Sequence, residues 1–215
     1  MKKTVTLLFI LTFLGLNAQR LKTEMIIEQS EMILRNIIGQ DLIKYFAPTE
    51  GISFYRLKEN RFGFVSTKKL KKNGKTRRKW IEIWVHWRFE YPSIQGLSSA
   101  LWIKLDKNLN PLEPLELNII PDFIWNNKPS NFISINDAEK IGERNLTRTN
   151  FGIDDLKLSF DSKLNMYVYE ICNKKTQDLD SDGKKHGVLE IIKISALTGE
   201  VIEIIDGYYG KTIIR

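Results

Sequence analysis

The sequence predicts an α+β protein of two lobes, each a helix laid on an antiparallel sheet. Apolar residues recur at helical spacing once in each half of the chain, in 24–46 and again after Ser134. Each helical segment precedes short alternating segments separated by turn residues, which is typical of antiparallel strands. This repeated plan indicates an internal duplication. We place the lobes at 19–117 and 133–215, with a linker at 118–132.

The first 18 residues have the three parts of a secretory signal peptide. Lys2 and Lys3 give a basic start, and residues 5–16 are nearly all apolar. Ala18 then offers a small residue at the cleavage point. The alternative is an uncleaved membrane anchor, but a spanning helix needs about 20 apolar residues and this run is shorter. We therefore expect a mature protein that begins at Gln19 and is exported, to the periplasm or out of the cell.

The first lobe is predicted to open with one helix over 24–46, capped by Thr23, and to continue with a strand at 51–57. A hairpin should follow. Its strands are 60–70 and 75–91, and its turn contains Asn-Gly, the strongest short-range hairpin signal. This register puts the apolar residues, Phe64 among them, on one face. The opposite face then carries Trp80, Glu82, Trp84, His86, Arg88 and Glu90.

The remaining turns, helix and strands are predicted from the same local signals. Residues 108–111 predict a turn, and Ser134 predicts a helix start because Asp137 completes a capping box. Strands are predicted at 98–106, 112–117, 155–160, 166–172, 188–195 and 200–205.

The second half resembles a PepSY-type domain, a small helix-plus-sheet module of exported and membrane-associated proteins. The resemblance covers about 75 of the 215 residues and is carried by Ile133-Ser134, Ala138, Ile141-Gly142, Tyr167-Val168-Tyr169-Glu170-Ile171 and the segment 192–201. The same elements also resemble those of cystatin-like and NTF2-like sheets. The resemblance implies a non-catalytic role in binding or restraining peptidases, and it carries over no catalytic residue.

Positive charge is concentrated in one segment. The chain has 33 Lys and Arg against 26 Asp and Glu, a net charge of +7. Eight of the basic residues lie between positions 68 and 79 with no acid among them: Lys68, Lys69, Lys71, Lys72, Lys75, Arg77, Arg78 and Lys79. Because the excess belongs to one segment, it argues against a general nucleic-acid binder, which spreads a basic face more widely.

This basic segment is a candidate site for an anionic partner. In the predicted hairpin register, Lys69 faces Arg78 and Lys68 faces Lys79, and like charges opposed across a strand pair are destabilising. Lipid headgroups, an acidic glycan, nucleic acid or an acidic protein would offset this repulsion. The alternative is a frayed, solvated hairpin tip that charge keeps soluble.

Trp80, Trp84 and Arg88 form a second candidate, a recognition surface for a protein or peptide. Aromatic residues and Arg are enriched in interfaces. The alternative is that the two Trp side chains pack between the lobes.

Asp178, Asp180 and Asp182 alternate before Gly183, as calcium ligands do, although no Glu stands at the twelfth position of an EF-hand loop. A polar hairpin loop is the alternative. The two histidines, His86 and His186, lack a zinc-ligand spacing, and the single Cys172 has no nearby catalytic partner. We therefore expect a non-catalytic binding protein without a cofactor, engaging a protein or peptide. An anionic-surface binder and an uncharacterised enzyme are the two alternatives.

Overall fold

The structure is a computed structural model that describes residues 20–58, 63–147 and 153–210. The predicted signal peptide, 1–18, lies outside the described residues. The described residues form four helices and ten strands, and the strands make two antiparallel sheets of five. The predicted α+β class with two sheet lobes is confirmed.

The chain divides into two compact units, and the division is not a single cut. The first unit comprises Met1–Glu90 and Ala100–Leu117, and the second comprises Tyr91–Ser99 and Asn118–Arg215. The chain therefore crosses from one unit to the other three times.

The first unit has two helices followed by five strands, the last of which starts in residues of the second unit. These elements are α1 (Thr23–Ile38), α2 (Gln40–Ile43), β1 (Phe46–Pro48), β2 (Phe54–Leu57), β3 (Thr67–Lys69), β4 (Trp80–Glu90) and β5 (Ser98–Leu105).

The prediction of a single helix over 24–46 is wrong, because Gly39 ends α1. Its φ of +84° lies in the left-handed region that favours glycine. Phe46 then begins β1, where it lies opposite Phe89 of β4. Thr23 is not a cap either. Its hydroxyl donates to the Lys71 carbonyl oxygen at 2.9 Å.

The first sheet is organised around β4, which pairs with β1, β2 and β5, while β3 pairs with β2 at an edge. The predicted hairpin of 60–70 with 75–91 is therefore wrong: β2 lies between β3 and β4. The physical reason is that β2 places Phe54 opposite Trp84 and Tyr55 opposite Ile83, whereas β3 is the polar, fully exposed Thr67–Lys69. Phe64, expected in the core, is 71% exposed.

One face of β4 forms the core of this unit, as predicted. Ile83, Val85, Trp87 and Phe89 are all at most 1% exposed. The alternation slips at the start of the strand, because a register shift follows Arg56 on the partner strand. Trp80 is consequently buried, at 6% exposure, rather than on the open face.

The second unit contains two helices and five strands in a meander. They are α3 (Asp122–Trp125), α4 (Ile135–Asn145), β6 (Ile153–Asp161), β7 (Met166–Lys174), β8 (Asp178–Leu179), β9 (Lys185–Ser195) and β10 (Val201–Tyr209). The strand order is β10-β9-β7-β6, with β8 paired to β9.

The predicted start of α4 is confirmed, since the Asp137 amide donates to the Ser134 hydroxyl at 3.1 Å. The helix lies close to β7. A Cβ on Gly142 would sit 2.2 Å from Cδ1 of Ile171, so the glycine allows this approach.

Residues 112–117 do not form the predicted edge strand. Pro111 bridges Leu105, and the Leu112 amide donates to Lys104, but the described residues continue no ladder beyond these contacts. Pro114 has no amide hydrogen to extend such a ladder. The segment 118–132 contains α3, and it buries Ile119, Ile120, Phe123 and Ile124.

Candidate functional site

The basic segment, residues 68–79, is anchored rather than frayed. Leu70 and Thr76 are buried, at 6% and 1% exposure, as is the adjoining Trp80. The Thr76 hydroxyl accepts a hydrogen bond from the Leu21 amide at 3.0 Å, and the Thr76 amide donates to the Leu21 carbonyl at 2.9 Å. The segment is therefore held to the chain just before α1.

The Asn-Gly dipeptide lies in a tight turn within this segment. The Gly74 amide donates to the Lys71 carbonyl at 2.9 Å, and Asn73 has a φ of +54°. A Cβ on Gly74 would lie 2.7 Å from that carbonyl oxygen, so glycine fits there best. The turn residues behave as expected, but the turn does not join paired strands.

All eight basic side chains of the segment are exposed. Within the described residues, Lys72 is the one member that reaches a carboxylate, with its Nζ 3.1 Å from Glu50. Both partners are 75% exposed, so this ion pair contributes little to stability. The segment thus holds concentrated positive charge on an anchored backbone.

A cleft of about 750 Å³ lies beside the basic segment. Its lining includes the buried residues Ser53 and Leu70 together with Ile27 of α1. Charged residues of both signs also line it: Glu24, Glu28, Glu50, Lys69, Lys71 and Lys72. Its mixed charge does not by itself select one class of ligand.

The face of the first sheet opposite its core carries a cluster that we call the aromatic surface: Phe54, Trp84, Trp102 and His86. Phe54 stacks on Trp84 with ring centroids 5.3 Å apart. Trp102 meets Trp84 at 5.9 Å and His86 at 4.7 Å. All four side chains are partly exposed, and burial lowers the pKa of His86, which favours the neutral imidazole.

Charged groups lie around the aromatic surface. Lys104 places its Nζ 4.3 Å from the centre of the Trp84 ring, a cation–π distance. A carboxylate oxygen of Glu82 accepts from the Trp84 indole at 3.0 Å and from Arg56 at 2.5 Å. An apolar centre with a polar margin is the usual anatomy of a protein interface.

The structure brings only part of the predicted aromatic site together. Trp84 belongs to the aromatic surface, whereas Trp80 is buried on the other side of the sheet. Arg88 is exposed and pairs with Glu90. Phe54 and Trp102 were missed, because their neighbours come from strand pairings that the sequence pattern does not reveal.

The Asp178, Asp180 and Asp182 loop forms the turn between β8 and β9. The Asp180 carboxylate accepts from the backbone amides of Asp182 and Lys184, at 2.9 and 2.8 Å. Gly183 has a φ of +74° and completes the turn. Within the described residues, no three His, Cys, Asp or Glu side chains converge to hold a metal ion.

Cys172 is a free, partly buried thiol in β7. Burial, followed by the nearby charge of Asp155, raises the pKa of its thiol. A raised pKa keeps the thiol protonated, and the thiolate is the reactive form.

Comparison with protein-family models, with curated proteins and with solved structures gave no match. None of the helices in the described residues combines the length and apolar character needed to cross a membrane. Function is accordingly inferred from the two surfaces of the first unit, the basic segment and the aromatic surface.

Proposed function

We propose that the protein is an exported, non-catalytic binding protein that engages a protein or peptide through its aromatic surface. One observation carries the proposal. Phe54, Trp84 and Trp102 are three large aromatic side chains in mutual contact, and each remains partly exposed. Tryptophan and tyrosine dominate the binding energy of protein interfaces, because they bury a large area at a small conformational cost.

The surrounding charges fit the same role. Lys104, Glu82 and Arg56 offer donors and acceptors at the margin, where polar contacts set the orientation of a partner. The resemblance of the second half to PepSY-type domains also supports a non-catalytic role, with restraint of a peptidase as the specific form that it implies.

The proposal is tested by crosslinking and affinity capture from the envelope fraction of the native cell, using the mature chain. The test variant is Trp84→Ala with Trp102→Ala. The matched control is Trp125→Ala, which removes a tryptophan that is 39% exposed in the second unit. We expect a polypeptide partner on wild type and on the control, and its loss from the double variant. Recovery of no partner, or equal recovery by all three proteins, contradicts the proposal.

A second candidate function is binding to an anionic surface through the basic segment. The observation that favours it is that all eight basic side chains are exposed on an anchored backbone. The measurement is retention on heparin or anionic liposomes at low salt. The test variant carries Glu at Lys69, Lys72, Lys75 and Arg78. The matched control makes the same charge change at four exposed lysines elsewhere: Lys107, Lys128, Lys140 and Lys163. Equal retention of both variants contradicts this function.

A further inference from the structure

The edge of the first sheet at β3 (Thr67–Lys69) is open in the part of the chain that the structure describes. The strand order ends at β3, which pairs with β2 on one side and with no described strand on the other. All three of its residues are exposed. An edge strand presents unpaired backbone groups that can pair with an added strand.

The hydrogen-bond pattern fixes which backbone groups point outward. Just before β3, the Leu57 amide donates to the Ser66 carbonyl at 2.9 Å. Just after β3, the Leu70 amide donates to the Ser53 carbonyl, also at 2.9 Å, so both bonds run to the β2 side. Antiparallel pairs alternate between bonded and non-bonded. The backbone groups of Lys68, midway between these pairs, therefore point to β2.

Thr67 and Lys69 consequently turn their N–H and C=O groups away from β2. Apart from this ladder, the described residues offer them no backbone hydrogen bond. Two residues of one edge thus present two donors and two acceptors at the spacing that an extended peptide matches.

Side chains next to this edge define the chemistry of the peptide. Lys69 lies opposite Phe54, which lies opposite Trp84, so the three side chains form a row across one face of the sheet. A strand added outside β3 would extend this row, with its own side chains next to Lys69. Lys68 projects to the other face, and no carboxylate of the described residues pairs with either lysine.

We propose that an acidic peptide in extended conformation adds to β3 as a further strand of the first sheet. The uncompensated lysines select carboxylate side chains in the partner. A second copy of this chain is disfavoured, because pairing β3 with β3 would oppose lysine to lysine. This inference rests on the proposed function, and it names the class of polypeptide and the way it is held.

The test separates backbone pairing from simple charge attraction. Thr67→Pro removes one outward N–H but retains all eight basic side chains and the ladder to β2, since proline is tolerated at sheet edges. Thr67→Ala is the matched control that keeps the amide. Lys68→Glu with Lys69→Glu replaces the two lysines that would select carboxylate side chains in the peptide. The probes are a fluorescein-labelled 12-residue peptide of alternating Glu and Thr, the same peptide with every amide N-methylated, and heparin.

We expect wild type and Thr67→Ala to bind the acidic peptide equally, measured by fluorescence anisotropy at low salt. Thr67→Pro should weaken this binding about tenfold, through a lost hydrogen bond and the obstructing ring, and leave heparin binding unchanged. N-methylation of the peptide should weaken its binding to wild type by at least as much. The charge variant should lose the peptide and bind heparin more weakly, because six of the eight basic side chains remain.

Two outcomes overturn the inference. The first is binding of the N-methylated peptide as tight as that of its parent, which needs no variant and so remains decisive if Thr67→Pro fails to fold. The second is heparin binding without any binding of the peptide, which assigns the segment to a polyanion. The proposed function is tested separately, by the capture experiment with the Trp84 and Trp102 variant. That experiment leaves Thr67 unchanged, so a failure of one proposal can be distinguished from a failure of the other.

Discussion

Replacement of Ser30 by Ala should destabilise the first unit, although serine is a small polar residue in the middle of a helix. Ser30 is fully buried, and its hydroxyl accepts a hydrogen bond from the indole nitrogen of Trp87 at 3.2 Å. The same hydroxyl donates to the Ile27 carbonyl at 2.8 Å. Trp87 is 1% exposed, so the alanine variant leaves its N–H buried without this acceptor.

The magnitude follows from two opposing effects. A buried donor left without a partner costs about 1–3 kcal/mol. Alanine has a higher helix propensity than serine, which returns roughly 0.5 kcal/mol. We therefore expect Ser30→Ala to lower the free energy of unfolding by roughly 0.5–2.5 kcal/mol.

The assay is urea unfolding, followed by tryptophan fluorescence and by circular dichroism. The midpoint should fall at an unchanged m-value. Ser93→Ala, at an exposed serine, is the control and should change stability by less than about 0.5 kcal/mol. In a Trp87→Phe background, the loss caused by Ser30→Ala should disappear, because the indole donor is gone. An equal loss in both backgrounds would refute the hydrogen-bond argument.

Three further predictions concern other parts of the chain. Thr76→Val removes the acceptor that anchors the basic segment; amide hydrogen exchange of residues 71–79 should speed up by tenfold or more, and unchanged exchange would contradict the anchoring. Gly187→Ala should destabilise the second unit by more than about 2 kcal/mol in thermal unfolding, because the new Cβ would lie 2.1 Å from the Thr176 carbonyl oxygen; a wild-type melting temperature would show that the backbone yields. Burial alone would raise the pKa of Glu190, but hydrogen bonds from Thr147 and Asn173 lower it overall. Its stabilisation should therefore be complete above pH about 4.3 and be lost as pH falls through the lower folded pKa, whereas Glu190→Gln should flatten this part of the profile.

Local sequence patterns were sufficient to predict most of the secondary structure of the second unit. The cap at Ser134 depends on a residue three positions along the chain, and the structure confirms it. The strands β6, β7, β9 and β10 follow one another as a meander, so neighbours in sequence are neighbours in the sheet. Each prediction there required only residues close together in the chain.

The first unit required information that local patterns do not contain. Asn73 and Gly74 do form a turn, yet the strand that pairs with β4 is β2, from earlier in the chain. The choice of partner depends on which apolar strand buries more against β4, and this is a property of the whole sheet. Gly39 also divided a continuous apolar pattern, because a left-handed glycine ends a helix whatever follows it.

The candidate sites show the same division. The exposure of the basic segment could be predicted, since eight charges in twelve residues have no alternative but solvent. Of the aromatic surface, the sequence pattern places only Trp84 and His86 on the correct face of β4. Phe54 and Trp102 join it through two further strands, and Trp80 leaves it through a register shift.

The three crossings between the units limit how the protein can be dissected. A fragment that starts at residue 118 lacks 91–99, and with it the buried Leu97 and the Ser99 hydroxyl that hydrogen-bonds to Tyr167. A fragment that stops at residue 90 lacks β5, and with it Trp102. Removing either unit by one cleavage therefore damages the one that is kept. During synthesis, likewise, the first unit cannot close its sheet until β5 has been made, and residues 91–99 are then complete before the rest of the second unit, from Asn118 onward, has been synthesised.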